Sequence, residues 1–462
     1  MKKLLLILIM ACFATANAQY EWLEQSTGYP TAGTYTGDIS IVDQNVVWSM
    51  VQRTSTTNHQ RISLTTDGGT TWISKGVTLP STTGLGIGNI SAVNATTAYI
   101  SVFPTTAALA TQGVYKTSNG GNTWTKASGA AFGINSFANL VHFFDTANGV
   151  AMGDPVNGKF EVYRTSNAGI SWTVVPAANL PTPLINQTPA PDTPEYGYTG
   201  KYYAKGNTIW IGTGNGRLLK STDKGVTWTA ITTPVADFGG GINPINTGEF
   251  TFRDDNNGII LRSNYSLSAD VPPVATYQDF TLFRTTDGGA TWNDITDVNQ
   301  VVFHSGVAYA GNVLYSNGSN TDNFGTSFSN DDGTTWTELS TGSHTCLKFQ
   351  SESIGFSGGF ASSATAGGIF KLVPATASAN TFASDKFTVS PNPVTDVLRI
   401  NNTSNINFTA VQVTDINGRV VKSVNVNNIT SSQINVSDLN AGIYFLNITS
   451  DAGKAVKKFI KN

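Results

Sequence analysis

Apolar residues in the body of this chain fall in short, often alternating runs, separated by clusters of Gly, Asn, Asp, Ser and Thr. No helical period follows the N-terminus. That pattern predicts strands and tight turns. Ile39–Val51 (ISIVDQNVVWSMV) reads as two strands around a turn at Asp43–Asn45. Arg61–Thr65 reads as a third strand and the segment from Trp72 as a fourth, making an antiparallel meander. The same order returns in Ile90–Val102, Val114–Thr117 and from Trp124, and again in Val141–Gly153, Glu161–Thr165 and from Trp172. Later copies begin near Tyr202, Glu249, Val307 and Leu347. Asn148-Gly149 and Asn257-Gly258 predict hairpins with positive φ at both turn residues.

Between the third and fourth strands of all but the last copy stands an eight-residue turn of the form S/T-x-D-x-G-x-T-W. It occurs six times: Thr65–Trp72, Thr117–Trp124, Thr165–Trp172, Ser221–Trp228, Thr285–Trp292 and Ser329–Trp336. Its third-position residues, Asp67, Asn119, Asn167, Asp223, Asp287 and Asp331, are 44 to 64 residues apart. That period fits one four-stranded propeller blade with variable loops. The Asp or Asn is expected to cap backbone N–H groups, the Gly to take a conformation that a Cβ opposes, and Trp72, Trp124, Trp172, Trp228, Trp292 and Trp336 to cover the turns. A seventh strand group, Leu347–Val373, ends in GGIFK with no turn after it, whereas Tyr20–Gln25 (YEWLEQ) resembles a fourth strand with no blade of its own. Pairing these two predicts an all-β, seven-bladed β-propeller over residues 19–373, its N-terminal strand closing the last blade.

The flanks differ from the repeats. Lys2 and Lys3, the apolar Leu4–Met10 and the small-residue site Ala16-Asn17-Ala18 read as an export signal over residues 1–18, cleaved before Gln19. The rival is a lipoprotein site at Cys12. No later run of about 20 apolar residues is present, so no further membrane span is expected. Residues 374–385 (PATASANTFASD) read as a linker. Residues 386–462 read as a small Ig-like β-sandwich, with strands near Val397–Asn401, Ala410–Asp415, Val420–Val426, Ser432–Asn435, Gly442–Thr449 and Ala455–Ile460.

Composition narrows the chemistry. Charged residues are 12% of the chain and the formal net charge is −3, with no basic run, which argues against nucleic acid as a partner. Cys346 is the one cysteine beyond the leader, so neither a disulfide nor a cysteine metal cluster is expected; it reads as a small buried apolar residue. His59, His142, His304 and His344 lack metal-ligand spacing. No metal and no cofactor is expected. Any binding face is expected opposite the repeat turns, where the connections between blades and between second and third strands gather. The longest such segment, residues 176–201, holds six prolines, Asp192, Glu195, Tyr196 and Tyr198. Asp154, Asp192 and Glu195 are the candidate catalytic carboxylates, since a glycosidase needs two at the right separation. Arg53, Tyr196, Tyr198 and Asp270 are the candidate binding residues.

The repeated turn resembles the Asp-box (BNR repeat) of sialidase-type propellers, and blades ending in YKTSNGGNTW or LLKSTDKGVTW resemble photosystem II assembly factor-like propellers of secreted bacterial proteins. The arginine triplet that a sialidase needs has no counterpart here. The tail (SPNPVTDVLRI, VTDINGRVV, INVSDLNAGIYFLNI, KKFIKN) resembles the type A sorting domain of the type IX secretion system of Bacteroidetes. That resemblance implies outer-membrane translocation by the type IX machinery, with Pro391, Asn392, Pro393, Gly418, Gly442 and Tyr444 carrying the signal, followed by removal of the tail and release or attachment to surface lipopolysaccharide. The expected location is secreted or at the outer-membrane surface, reached through the periplasm. The expected function is a binding or scaffold module for an extracellular glycan or surface protein. The alternative is a propeller-type glycoside hydrolase.

Overall fold

The computed structural model describes residues 20–30, 32–53, 60–81, 84–105, 111–133, 136–186, 193–239, 245–267, 275–320, 323–375, 387–402, 408–415, 419–424, 431–450 and 453–462. The chain divides into two compact units between Pro374 and Ala375.

The first unit is a β-propeller. Among the described residues its strands form seven four-stranded antiparallel blades. Blade one is Thr34–Ile41, Val47–Arg53, Arg61–Thr65 and Ile73–Gly76. Five further blades begin with Leu85–Ala92, Ala138–Phe143, Gly197–Lys205, Ile245–Phe252 and Gly306–Ala310. The seventh takes Leu347–Ser351, Ile354–Ser363 and Ala366–Pro374 from one end of the chain and Tyr20–Ser26 from the other. Their register runs without a break from Tyr20↔Pro374 to Ser26↔Gly368. The first strands touch one another in cyclic order, blade seven meeting blade one, so the array closes on itself.

Closure leaves a hydrogen-bonding problem on the inner strands, because each faces its neighbours at a splay. Side chains solve it. Asp38 Oδ2 accepts from Ile90 N, Ser40 Oγ from Ala92 N, Asn89 Oδ1 from Val141 N and Ser91 Oγ from Phe143 N, each pair 52 residues apart. A polar residue at one position of the repeat thus satisfies a backbone donor of the next blade, which would otherwise be buried and unpaired.

The repeat turns behave as their composition suggests. In the first, Asp67 Oδ1 accepts from Thr71 N at 2.9 Å and from the Thr65 hydroxyl at 2.8 Å, Asp67 Oδ2 accepts from Thr71 Oγ1, and Thr65 Oγ1 accepts from Gly69 N at 2.8 Å. Asn119 and Asn167 keep the same pattern with an amide. Two successive residues take left-handed φ in every copy, and the second is always glycine. At the first of these positions Ala168, Lys224 and Asp332 accept φ of 56–58°. The tryptophans do more than cover the turn. Trp124 packs with Trp48 and Ile62 of the preceding blade, Trp228 with Leu140 and Val150, Trp336 with Ile259 and Leu261, and Trp72 with Phe356 and Ile369 across the closure. They are also wedges between blades, while Trp228 and Trp336 still cover their own turns, donating to Gly225 O and Gly333 O.

The two Asn-Gly pairs are also corrected. Neither Asn148-Gly149 nor Asn257-Gly258 has positive φ. Those hairpins are held by Asp145 and Asp254, whose Oδ1 atoms accept the backbone N–H groups two and three residues on. The glycines serve packing instead. A Cβ on Gly149 would lie 2.9 Å from the ring of its cross-strand partner Phe143, and one on Gly258 2.4 Å from Phe252.

The second unit has two antiparallel sheets. One contains Phe387–Ser390, Val397–Asn402 and Ser431–Asn435; the other contains Phe408–Asp415, Val420–Val424, Gly442–Ser450 and Gly453–Lys461. Leu398, Ile400 and Ile434 from the first meet Val411, Val413, Leu446 and Phe459 from the second in one core.

Candidate functional site

Five of the six repeat turns dock on the first hairpin of their own blade: Gly68 N donates to Asn45 O, Gly120 N to Thr96 O, Ala168 N to Ala147 O, Lys224 N to Asn207 O and Gly288 N to Asn256 O. One end of the propeller is therefore committed to structure. The blade connections and the second-to-third strand loops lie at the other end, where the sequence placed its candidates.

Asp154 ends the buried stretch of Gly149–Val156. Its Oδ1 accepts from Asn139 Nδ2 at 2.7 Å and from Gly197 N at 3.2 Å. Burial pushes its carboxyl up to about 6, against those two hydrogen bonds, which lower it. Glu195 is placed differently. It is fully buried and its oxygens accept from Arg217 Nε and Nη2, from Thr213 Oγ1 and from Leu184 N. Arg217 also donates to Thr182 O at 2.9 Å. This ion pair pins both ends of the long connection onto the fourth blade, and it leaves Glu195 no free acceptor for a substrate proton.

Tyr196 and Tyr198 meet edge to face at 5.2 Å, and Tyr198 donates to Asp237 Oδ1. Burial, then the hydrogen bond to Asp237, raises the Tyr198 phenol far above its ordinary value. Arg53 is the last residue of its strand. The Arg53 side chain, Asp192 and Asp270 lie outside the described residues. Exposed aromatic surface near these loops comes from residues the sequence reading passed over. Phe360 lies 5.3 Å from Tyr35 where the backbones of blades one and seven pair, and Phe324 stands at the loop of blade six.

A further concave feature is the central channel, a cavity of about 440 Å³ lined by first strands of the blades. Two ion pairs cross between neighbouring blades inside it: Lys348 with Asp38 at 3.3 Å, and Lys201 with Glu249. Burial alone would lower the Lys348 ammonium, but the Asp38 carboxylate overrides it and holds Lys348 charged. His142 is driven down to about 3 by burial and then by Lys348, so it is neutral. Cys346 also lines the channel, its thiol pushed up to about 12 by burial and by Asp38. The wall is therefore polar and charge-balanced. None of its charged members was singled out from the sequence. Aligning the copies would have found them, because Lys201 and Glu249 stand 48 residues apart on equivalent strands. Among the described residues no cluster of His, Cys, Asp and Glu could hold a metal ion.

In the second unit the described sorting residues converge on the last strand, Gly453–Lys461. Asn392 Oδ1 accepts from Ile460 N at 2.8 Å, tying Pro391-Asn392-Pro393 to the last strand. Gly442 opens its strand, and Tyr444 donates to Asn440 O and stacks on Phe459 at 5.7 Å. Gly418 lies outside the described residues. The separated sequence blocks are thus parts of one packed sandwich.

No curated protein matches the chain. Among solved structures, "YCF48 bound to D1 peptide" is similar at 14% identity, covering 78% of this chain and 97% of that one, with a TM-score of 0.47. YCF48 from Cyanidioschyzon merolae is similar at 13% identity over 78% of this chain and 100% of that one (TM-score 0.44). An ancestral GH74 enzyme is similar at 12% identity over 94% and 63% (TM-score 0.45). Residues 388–462 match the family described as the secretion system C-terminal sorting domain. The propeller is therefore cargo of the type IX secretion system, delivered to the cell surface or secreted beyond it by its C-terminal unit.

Proposed function

We propose that the exported propeller is a binding or scaffold module that takes an extracellular glycan or a surface protein. The observation that carries this reading is the fate of the carboxylates. Glu195 is consumed by Arg217, Thr213 and Leu184 N, while the channel carboxylates are paired with lysines. What remains is a polar concave surface suited to holding a ligand. After translocation the tail is removed and the propeller is released or attached to surface lipopolysaccharide.

Asp154 favours a second reading, a glycoside hydrolase. A carboxyl raised to about 6 is suited to general acid work near neutral pH. The two readings separate on purified mature protein. Asp154, Asp192 and Glu195 are each replaced by the amide and assayed on a panel of polysaccharides, alongside a glycan array. Turnover that vanishes with Asp154→Asn supports the hydrolase. Array or pull-down binding without turnover supports the module.

A further inference from the structure

Resting on the binding-module reading, we propose that the central channel is a site for a neutral sugar unit of monosaccharide size. Three observations converge on it. The first is capacity: about 440 Å³ lies within the usual range for small-molecule sites. The second is charge. Asp38 and Glu249 are matched by Lys348 and Lys201, and His142 is neutral, so a charged guest would have to break a pair, whereas hydroxyl groups can both donate to the carboxylates and accept from the ammonium groups.

The third is an unmet acceptor. Asn317 lies on the second strand of blade six, directly behind Gly306 of the first. A Cβ on Gly306 would come within 2.6 Å of Asn317 Oδ1. Asn317 is among the residues that line the channel. Its Nδ2 donates to His344 O at 2.8 Å, while Oδ1, on a residue only 1% exposed, has no partner among the described residues. Such an acceptor calls for a donor that the described residues do not supply, a water or a guest hydroxyl. Tyr202, Tyr309 and Phe349 add ring surface to the same wall, which suits the apolar C–H faces of a sugar.

The test uses the full mature chain and neutral methyl glycosides (galactoside, mannoside, xyloside and N-acetylglucosaminide) as probes, with binding read by saturation-transfer NMR and calorimetry. At least one glycoside should bind, and Glu249→Gln and Lys348→Met should each weaken it about tenfold or more, as expected for loss of a charge-assisted hydrogen bond. Circular dichroism and the thermal midpoint check that both variants fold. Glu249→Gln keeps size and an acceptor, so it is the conservative arm. Tighter binding of methyl glucuronide than of every neutral probe overturns the proposal, as does the absence of binding by all neutral probes. Binding that ignores both channel variants but is lost in Phe360→Ala overturns the channel site while leaving the binding module standing. Failure of the glycan array and the surface-protein pull-down together falls on the module reading itself.

Discussion

Lys371 Nζ donates to the carbonyl of Gly68 at 2.7 Å, joining the last strand of one chain end to the first repeat turn of the other. The bond has equivalents between consecutive blades. Lys75 donates to Gly120 O, Lys116 to Ala168 O and Arg164 to Lys224 O, in each case to the first left-handed residue of the next repeat turn. The turn exposes that carbonyl, and a cation one blade back meets it. Closure therefore uses the same kind of contact as the first three internal blade junctions.

Lys371→Met should accordingly loosen the seam and little else. Losing one partly buried, charge-assisted hydrogen bond should cost about 1–2 kcal/mol, read as a lower midpoint in urea. Deleting residues 20–26 removes a whole register of pairs and should expose the propeller to proteolysis at blade seven. A trimmed protein as protease-resistant as the parent would contradict closure by the N-terminal strand.

The paired left-handed residues give a test of opposite signs. Gly169→Ala places a side chain at φ 70°, with its Cβ 3.0 Å from the Tyr99 ring, and should destabilise by about 1–3 kcal/mol. Ala168→Gly, one residue earlier at φ 58°, relieves a strained position and should be neutral or stabilising by up to about 1 kcal/mol. Chemical denaturation of the two variants checks the order.

Glu195→Gln should act on stability. It strips the charge from a fully buried partner of Arg217, and breaking such a pair by one member costs about 3–5 kcal/mol. Loss of thermal stability without a specific change in ligand affinity is the expected outcome. A stable variant with altered binding would return Glu195 to the functional site.

Asp154 predicts a pH effect. Its folded carboxyl titrates near 6, above the ordinary 3.8, because burial disfavours the charge. Between those values the folded protein holds a proton that the unfolded chain has lost. Its contribution to stability is full below about pH 4 and falls as pH rises towards about 6. Asp154→Asn, which can keep an acceptor towards Asn139 and Gly197, should flatten that slope and gain about 1–3 kcal/mol near pH 7. Denaturation midpoints measured from pH 4 to 8 decide it.

Export has its own measurement. A chain lacking residues 388–462 should accumulate in the periplasm, as read by cell fractionation, whereas the full chain reaches the surface or the medium. Surface delivery of the truncated chain would contradict the role of the tail.

Much of this molecule was set locally. Spacing of Asp67, Asn119, Asn167, Asp223, Asp287 and Asp331 announced the blades, because each turn closes its own hydrogen bonds within eight residues. An orphan strand at Tyr20 and a missing turn after Lys371 announced closure, since both ends must be paired. The tail blocks were legible for the same reason: strand alternation and turn residues are local. Only the tertiary structure decided what the parts do to each other. Trp72 looks like a lid until Phe356, 284 positions further along the chain, is seen against it. Glu195 looks available until Arg217 folds over it. Asp38, Lys201, Glu249 and Lys348 are ordinary strand residues until the ring sets them around one axis. Burial, pairing and charge balance are properties of neighbours brought together by folding, and no single stretch of sequence holds both partners.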